Sequence, residues 1–451
     1  MDELKKYQQS KGPKGNLLTG NLSEFQKDPL SFMAKLAKDY GDIAPFRLGP
    51  FQKIFLVSNP ELIKEILVTK QQKFSKSLDL QVVKDIVGEG LLTSEKDFHL
   101  SQRRLIQPAF KHTHIMSYAQ SMIDVTSKYI DGWEHGKDYW ISKDMMNITL
   151  GIISKTMFNM EFEKGAKVIG EPLDTYMKLA IKRMRAILKW PLWIPTKSNR
   201  TYKRTIRELD DVLYKIIEKR RNSLDTHQDL LGILMAARNE ENGLGMSDRQ
   251  LRDELMTIFL AGHETTGNAL IWTLFLLSQN PRAEQKLHEE LDQVVGARQI
   301  RPDDFNLLLY TQNIIRESLR LFPPAYVIGR QVDEDLELGG TSLKKGDMIM
   351  ISQYVMQRDA RFFENPDSFI PERFEGDLLK KIPTYAYFPF GGGPRVCIGN
   401  HFAHMEAVLV LACICQRYRF SLADHHHEIK PQPLITLRPR RGIQMHVENR
   451  K

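Results

Sequence analysis

Phe388–Gly399 reads FPFGGGPRVCIG, with four glycines and two prolines around a single cysteine, Cys397. Glycine permits positive φ angles and a close approach of the backbone to a ligand, while proline stiffens a loop and removes hydrogen-bond donors. A helix-compatible run follows over 400–409. The pattern predicts a tight loop that delivers Cys397 to the start of a helix, where free N–H groups and the helix dipole favour a thiolate.

Residue chemistry alone leaves three roles open for this thiolate: nucleophile, zinc ligand or haem ligand. A nucleophile needs a nearby histidine base, which sequence does not establish. His401 and His404 follow Cys397 closely, but they complete only three zinc ligands at a spacing that structural zinc sites do not use. A second histidine-rich stretch, DHHH at 424–427, is predicted to be an exposed loop rather than a metal site because its flanks are polar.

The spacing F-x2-G-x3-C-x-G within this segment resembles the cysteine-ligand loop of the cytochrome P-450 family. The resemblance implies that Cys397 is the axial thiolate ligand of haem b, where it donates electron density to iron and favours O–O cleavage. It also implies that Arg395 binds a haem propionate and that Phe390 packs near the thiolate. Gly391 and Gly399 would let the loop approach the porphyrin.

A long central helix is predicted from Ser247 to about Ser278, because Ser247 and Gln250 match a capping box. Within it, 261–267 reads AGHETTG, and two glycines, an acid and two threonines lower helix propensity. A threonine that bonds back to a carbonyl can bend a helix. The sequence therefore predicts a bend at this point, with a merely kinked core helix as the alternative reading.

By the resemblance, this is the helix that crosses the haem, with a bulge that admits O2 and water. Thr265 and Glu264 then form the alcohol–acid pair that delivers protons during oxygen activation. Ala261 would lie against the haem, and Leu260 and Ala261 would line the substrate pocket. The remaining pocket residues that the resemblance implies are Tyr326, Val327, Ile435 and Thr436.

Further haem contacts are implied at His99, Arg103 and Arg330. His99 and Arg103 are four residues apart, so a helix would place both on one face, where they can grip a single anion. The family commonly has tryptophan where this chain has His99, so its role departs from the pattern. Arg330 resembles a second arginine that binds a propionate.

A structural network is implied by Glu317-x2-Arg320 together with Arg373 in the segment 369–374, FIPERF. A glutamate and an arginine three residues apart on a helix can pair, and a buried pair should use bidentate geometry. Such pairs are also common on helix surfaces. In the family, this triad holds the scaffold around the cysteine loop and performs no chemistry.

Composition places the chain among globular proteins, with 42% hydrophobic and 27% charged residues. The resemblance implies a mainly α fold with a small β portion, a triangular helical prism that encloses haem b. No linker or repeat divides the sequence, so one domain over 1–451 is predicted. The net charge of +8 is compatible with a solvated basic surface or with an acidic partner, and no nucleic-acid motif is present.

Residues 1–10 contain no apolar run, which predicts neither a signal peptide nor a membrane anchor. The other two cysteines, Cys413 and Cys415, lie in an apolar helical segment and are predicted to be inert buried thiols. Few cysteines and no signal together predict a protein of the reducing cytoplasm. Microsomal members of the family carry a membrane anchor, so by the resemblance the expected lack of one implies a soluble protein of the bacterial type. The resemblance further implies a monomer that receives electrons from NAD(P)H through a separate ferredoxin or flavodoxin and its reductase.

The predicted activity is that of a haem-thiolate monooxygenase acting on a small organic substrate. Apolar pocket candidates favour a lipophile such as a fatty acid or terpenoid, while a methyl ether would give O-demethylation instead. Two alternatives are a peroxide-dependent haem-thiolate enzyme and a non-catalytic haem-binding sensor. In peroxide-dependent members of the family the acid–alcohol pair is usually altered, so Glu264 and Thr265 argue against the first alternative. A sensor would need no proton relay.

Overall fold

The computed structural model of the protein describes residues 12–160, 169–185, 190–223, 229–239, 243–423 and 428–450. The histidine-rich stretch 424–427 lies outside the described residues. Within the described ranges, no helix combines the length and apolar character that crossing a membrane requires.

Helices dominate the described residues and confirm the prediction of a mainly α fold with a small β portion. The α-helices are α1 (Leu22–Lys27), α2 (Pro29–Tyr40), α3 (Pro60–Lys64), α4 (Gln81–Val87), α5 (Lys96–Ile106), α6 (His112–Ile130), α7 (Ile141–Phe158), α8 (Glu171–Arg185), α9 (Lys197–Arg221), α10 (Leu230–Ala236), α11 (Asp248–Ser278), α12 (Pro281–Val294), α13 (Leu309–Leu321), α14 (Gln353–Met356), α15 (Leu378–Lys381) and α16 (Asn400–Arg417).

The strands are β1 (Ile43–Leu48), β2 (Gln52–Val57), β3 (Phe74–Lys76), β4 (Lys137–Tyr139), β5 (Ile328–Val332), β6 (Leu336–Leu338), β7 (Thr341–Leu343), β8 (Met348–Ile351), β9 (Tyr418–Leu422), β10 (Pro431–Pro433), β11 (Leu437–Pro439) and β12 (Met445–Asn449).

The chain forms two compact units. The first unit comprises the described parts of 1–79, 316–397 and 431–437, and the second comprises those of 80–315, 398–430 and 438–451. The prediction of one domain over the whole chain stays a prediction.

The first unit is built on a five-stranded sheet in the order β1-β2-β8-β5-β3. β2 and β8 run parallel, with Phe55 opposite Ile349, and the other pairs are antiparallel. Alternate residues of β2 therefore serve two apolar clusters: Phe55 packs with Ile63 in one, and Leu56 packs with Met33 of α2 in the other. This sheet carries Arg330 on β5 and supports the residues that precede Cys397.

The second unit is a helical assembly around α11, which packs closely on α7. Every residue from Leu251 to Leu260 is buried, so α11 is a core helix rather than an amphipathic surface helix. A small sheet in the order β4-β12-β9 completes this unit. α11 thereby holds the turn Ala261–Thr265 at the end of a fully buried stretch.

α2 spans Pro29–Tyr40, and β1 and β2 form a hairpin around Gly49-Pro50. The local prediction for α11 is confirmed. The Ser247–Gln250 capping box is present, and α11 ends at Ser278.

The segment between Phe74 and Asp97 contains the helix α4, although its sequence shows no clean helical periodicity. α11 is a continuous α-helix from Asp248 to Ser278, so no break in the helix marks the bulge expected near Thr265. The Thr265 hydroxyl donates to the Ala261 carbonyl at 2.6 Å, which is the bond from which the bend was predicted, and the bend stays a prediction.

Candidate active site

The loop before Cys397 folds back on itself within the first unit. The Cys397 N–H donates to the Phe390 carbonyl at 3.0 Å, and the Gly391 N–H donates to the Phe388 carbonyl at 2.9 Å. Cys397 is exposed and forms no disulfide. These bonds leave the thiol group presented on a fixed loop, three residues before α16 begins.

Two loop glycines are required for different reasons. Gly391 has φ +74°, and a Cβ there would meet Ile328 Cδ1 at an ordinary 3.5 Å, so its requirement is the left-handed backbone alone. Gly393 has φ +67°, and a Cβ there would lie 1.9 Å from the Leu67 carbonyl oxygen. The loop therefore runs against the backbone at Leu67, an approach that only glycine allows.

Two candidate propionate ligands also lie in the first unit. Arg395 is half-buried and its Nη1 donates to the Phe74 carbonyl at 2.9 Å. Arg330 is buried on β5, and its Nη1 donates to the Gly329 carbonyl at 2.9 Å. An exposed thiol, a glycine loop and two guanidinium groups in one unit fit the donor set that a haem thiolate site needs.

The other candidates lie in the second unit. His99 and Arg103 are both on α5, one turn apart; His99 is buried and Arg103 is half-buried. Gly399 directly precedes α16, and a Cβ there would meet the Phe110 ring at an ordinary 3.6 Å. The space around Gly399 thus leaves room for a larger residue, in contrast to Gly393.

The predicted charged network is fully formed inside the first unit. Arg320 Nε and Nη2 bond to the two carboxylate oxygens of Glu317 at 2.7 and 2.8 Å. Arg373 Nε reaches Glu317 Oε1 at 2.9 Å. Glu317 and Arg320 have no exposed surface, and the other three N–H groups of Arg320 donate to the carbonyls of Gln357, Pro366 and Ser368. All five guanidinium donors are therefore satisfied.

Sequence reasoning missed Gln357, which connects this network to the cysteine loop. Its Nε2 donates to the carbonyls of Leu319 and Arg320, and its Oε1 accepts the Phe388 N–H at 3.1 Å. Phe388 is the first residue of the cysteine segment. A single glutamine in a short helix-to-loop stretch gives no local signal, because its partners lie 31 to 38 residues away.

The turn Ala261–Thr265 of α11 combines an exposed position with internal hydrogen bonds. Ala261 is exposed directly after the buried stretch 251–260, while Glu264 and Thr265 are half-buried. Thr265 Oγ1 donates to the Ala261 carbonyl at 2.6 Å, and Thr149 Oγ1 of α7 donates to the His263 carbonyl at 3.0 Å. Desolvation by the surrounding protein lowers the pKa of His263 to about 4, so this imidazole is neutral near pH 7.

A second missed residue is Glu406 on α16, which is almost completely buried. Among the described residues, neither carboxyl oxygen has a hydrogen-bond partner that meets normal geometry. Burial raises its pKa to about 8, and the hydroxyl of Thr266 on α11 offsets part of that effect. The sequence signal was available, because Glu406 stands alone in an apolar run, Met405–Cys415.

The pocket candidates divide between the units. Tyr326, Val327, Ile435 and Thr436 lie together in the first unit, where Tyr326 Oη donates to the Leu434 carbonyl at 3.0 Å. The Leu437 N–H also donates to the Pro324 carbonyl at 2.9 Å. Leu260 and Ala261 belong to α11 in the second unit, and only Ala261 is exposed.

Comparison with known proteins agrees with these features. The family model described as cytochrome P-450 matches residues 10–447. Cyclooctatin synthase of Streptomyces melanosporofaciens is 35% identical, over 95% of this chain and 91% of its own length. Cyclooctat-9-en-7-ol 5-monooxygenase of the same organism is 32% identical, over 93% and 89%. Pentalenene oxygenase of Streptomyces avermitilis is 31% identical, over 94% of each chain.

Proposed function

Because the chain belongs to the cytochrome P-450 family and is a monooxygenase, we propose that it hydroxylates a polycyclic terpenoid hydrocarbon or terpenoid alcohol. The relatives named above are terpenoid-oxidising enzymes, and they match nearly the full length of the chain. The observation that carries the proposal is the chemistry of the pocket candidates. Their polar groups bond to the protein itself, which leaves mainly apolar surface for a substrate.

Tyr326 illustrates this point. Its hydroxyl donates to the Leu434 carbonyl, so the polar end of the side chain already has a protein partner. Thr436 is buried, while Val327 and Ile435 are half-buried and apolar. A substrate that meets this set gains affinity by burying hydrocarbon rather than by forming an ion pair.

The family cofactor is haem, which when bound supplies the oxidising chemistry by activating O2 with two electrons. We propose that Cys397 would hold the haem iron through Sγ, that Phe390 would pack near the thiolate, and that the glycine-lined loop would let the backbone come close to the ring. Arg330, Arg395, His99 and Arg103 would bind the propionates. The Glu317 network holds the loop through Gln357, and it takes no part in the chemistry.

Thr265 and Glu264 are proposed to deliver protons. In this structure Thr265 Oγ1 directs its proton to the Ala261 carbonyl. Because threonine in a helix populates two χ1 rotamers, rotation about one bond releases that proton from the carbonyl and redirects it. Glu264 is the adjacent acid on the same turn and can replace the proton. Ala261 is small and exposed, which leaves room beside the hydroxyl.

Electrons are proposed to arrive from NAD(P)H through a separate ferredoxin or flavodoxin with its reductase. The basic balance of the chain, +8, supports an acidic protein of this kind as the partner. Cys413 and Cys415 are both buried, and burial raises the pKa of Cys413 to about 12. Two neutral thiols without a disulfide are compatible with the reducing cytoplasm that we propose for the protein.

The test is reconstitution of the holoenzyme with a surrogate ferredoxin, its reductase and NADPH. Pentalenene and cyclooctat-9-en-7-ol are the probe substrates, and a saturated C12 fatty acid and a methoxybenzoate are the comparison substrates. We expect a spin-state shift and a product that is one oxygen heavier with at least one terpenoid. Oxidation of the fatty acid alone, or formaldehyde release from the methoxybenzoate alone, would contradict the terpenoid proposal.

A further inference from the structure

The loop 88–94, which follows α4, is attached to α11 by two consecutive carboxylates. The Glu89 N–H donates to Asp253 Oδ2 at 2.9 Å, and the Leu91 N–H donates to Glu254 Oε2 at 2.8 Å. Asp253 and Glu254 are both buried. Hydrogen bonds to an ionised acceptor are stronger than neutral ones, so these two bonds fix the loop backbone on the helix.

The contact is too close for side chains to intervene. A Cβ on Gly90 would lie 2.1 Å from Thr257 Oγ1 and 2.6 Å from the Asp253 carbonyl oxygen. A Cβ on Gly88, whose φ is +57°, would lie 2.2 Å from Asp253 Oδ2. The loop backbone therefore rests directly on one face of α11.

That face leads to the proposed reaction turn. Positions seven and eleven residues apart on an α-helix lie within about 20° of each other around its axis. Glu254, Ala261 and Thr265 have this spacing, so they share a face, with Ala261 about 10 Å beyond Glu254 along the axis. Glu254 is 1% exposed whereas Ala261 is exposed. The loop thus covers this face at Glu254, and the face opens at Ala261.

Further polar contacts tie the same region to α9. Arg252 Nη1 donates to Asp253 Oδ1 at 2.8 Å, and Arg252 Nε donates to Asp210 Oδ1 of α9 at 2.7 Å. Tyr202 Oη of α9 donates to Asp85 Oδ2 of α4 at 3.3 Å. Both α4, which precedes the loop, and Asp253, which holds it, are therefore connected to α9.

We propose that Asp253 and Glu254 are positioning residues that set the size limit of the substrate over the Ala261–Thr265 turn. They act through the loop 88–94, whose backbone they hold at the border of the open face. This inference rests on the proposed function, because it takes that turn as the place of reaction. It assigns a role in substrate specificity to Asp253 and Glu254, which lie about two to three helical turns before Ala261–Thr265 on α11.

The experiment compares holoenzyme carrying Glu254→Gln with wild type and with Asp248→Asn. The glutamine side chain keeps the shape and one acceptor of the glutamate but loses its charge. Asp248 is an exposed acid on the first turn of the same helix, where it pairs with Arg221 of α9. Hydrogen exchange of the peptide covering 88–94 directly measures how firmly Asp253 and Glu254 hold the loop backbone, a contact called the clamp below. Binding of imidazole and of 4-phenylimidazole, followed by the Soret shift, reports the space near the iron without any terpenoid.

We expect Glu254→Gln to speed exchange of the Leu91 amide roughly tenfold or more, as for loss of a charge-assisted bond. The ratio of 4-phenylimidazole to imidazole affinity should change several-fold, and Asp248→Asn should change neither value. Unchanged exchange would overturn the clamp. Faster exchange with an unchanged affinity ratio would overturn the specificity role.

Asp253→Asn is the second variant, should Glu254→Gln not accumulate as holoenzyme. It is judged by hydrogen exchange of the Glu89 amide and by the ratio of 4-phenylimidazole to imidazole affinity. Neither reading depends on terpenoid turnover. Failure of the terpenoid test therefore leaves this inference standing, and failure here leaves the substrate class untouched.

Discussion

The Glu317 network and the Glu264–Thr265 turn are both polar features within apolar helices, but their hydrogen bonds are arranged differently. Glu317 and Arg320 are fully buried, and their bonds reach segments 37 to 56 residues away. Thr265 is half-buried, and its hydroxyl bonds within its own helical turn. The first arrangement connects distant segments, whereas the Thr265 hydroxyl bond stays within one helical turn and can be broken by one side-chain rotation.

This difference predicts that the two regions contribute to different properties of the protein. Removing a member of a buried charged network leaves an uncompensated charge inside the folded protein, so it should lower the free energy of unfolding. Removing a hydroxyl that bonds only to its own helix should cost little stability and appear in turnover. Substitutions at the two regions should therefore differ most in their effect on the free energy of unfolding.

Glu317→Ala should have the largest effect. It leaves Arg320 buried without its bidentate partner, and we expect a loss of about 3–5 kcal/mol of unfolding free energy, with little haem incorporated. Denaturant unfolding and the Soret-to-protein absorbance ratio measure the two effects. Asp377→Ala is the control, because Asp377 pairs with Lys380 on the surface and should cost less than about 1 kcal/mol. Equal effects of the two variants would contradict the network's role.

Gly393→Ala should come next. Its Cβ would combine left-handed backbone strain with a 1.9 Å clash against the Leu67 carbonyl, for a cost of about 2–5 kcal/mol. The matched control is Gly376→Ala, because Gly376 has φ +75° but nothing within 4 Å of its Cβ position. It should show the strain alone, about 1–2 kcal/mol. Indistinguishable losses in unfolding experiments would mean that the close approach to Leu67 does not matter.

Glu406 should make stability depend on pH. The folded protein keeps this carboxyl protonated up to about pH 8, whereas the unfolded chain ionises it near 4.5. Its contribution is therefore complete below pH 4.5 and is lost as pH rises toward 8, by about 1.4 kcal/mol per pH unit. Unfolding of wild type and Glu406→Gln between about pH 6 and about pH 8 should show this difference in slope.

The control for that slope is Glu289→Gln, an exposed acid on α12, which should follow the wild-type pH dependence. A stability difference between wild type and Glu406→Gln that stays constant with pH would argue that the carboxyl is already ionised in the fold.

Thr265→Ala should have the smallest effect on stability, within about 0.5 kcal/mol, because alanine is the better helix former. Product formed per O2 consumed should nevertheless fall at least about tenfold, as for removal of a general acid. Thr273→Ala is the matched control: Thr273 lies on the same helix and donates to the Ala269 carbonyl at 2.8 Å. Unchanged coupling in Thr265→Ala would remove Thr265 from the relay.

Local sequence signals account for elements whose chemistry acts within a few residues. The proline at the start of α2, the Gly-Pro turn between β1 and β2 and the Ser247–Gln250 box each act within a few residues. α4 has no comparable local signal, and the residues directly after it are held by long-range contacts. Those contacts join Glu89 and Leu91 to acids more than 160 residues away.

The sequence allowed many residues of the candidate site to be predicted, but not all of the hydrogen-bond partners that connect them. The family pattern named Glu317, Arg320 and Arg373, and their contacts are present. It gave no sign of Gln357, because an amide that bridges two backbone segments leaves no motif. Nothing in the sequence indicated the role of Asp253 and Glu254 either, because acidic residues are common on helices. Only the fold distinguishes a buried hydrogen-bond acceptor from a surface charge.

The central claim is that the Cys397 thiolate is the iron ligand, and the carbon monoxide spectrum of the dithionite-reduced protein tests it most directly. Wild type and Cys413→Ser should both show the strongly red-shifted Soret band of a thiolate–iron–CO complex. Cys397→Ser should lose that band while retaining the fold. A red-shifted band that survives in Cys397→Ser, or its absence from correctly folded wild type, would contradict the assignment.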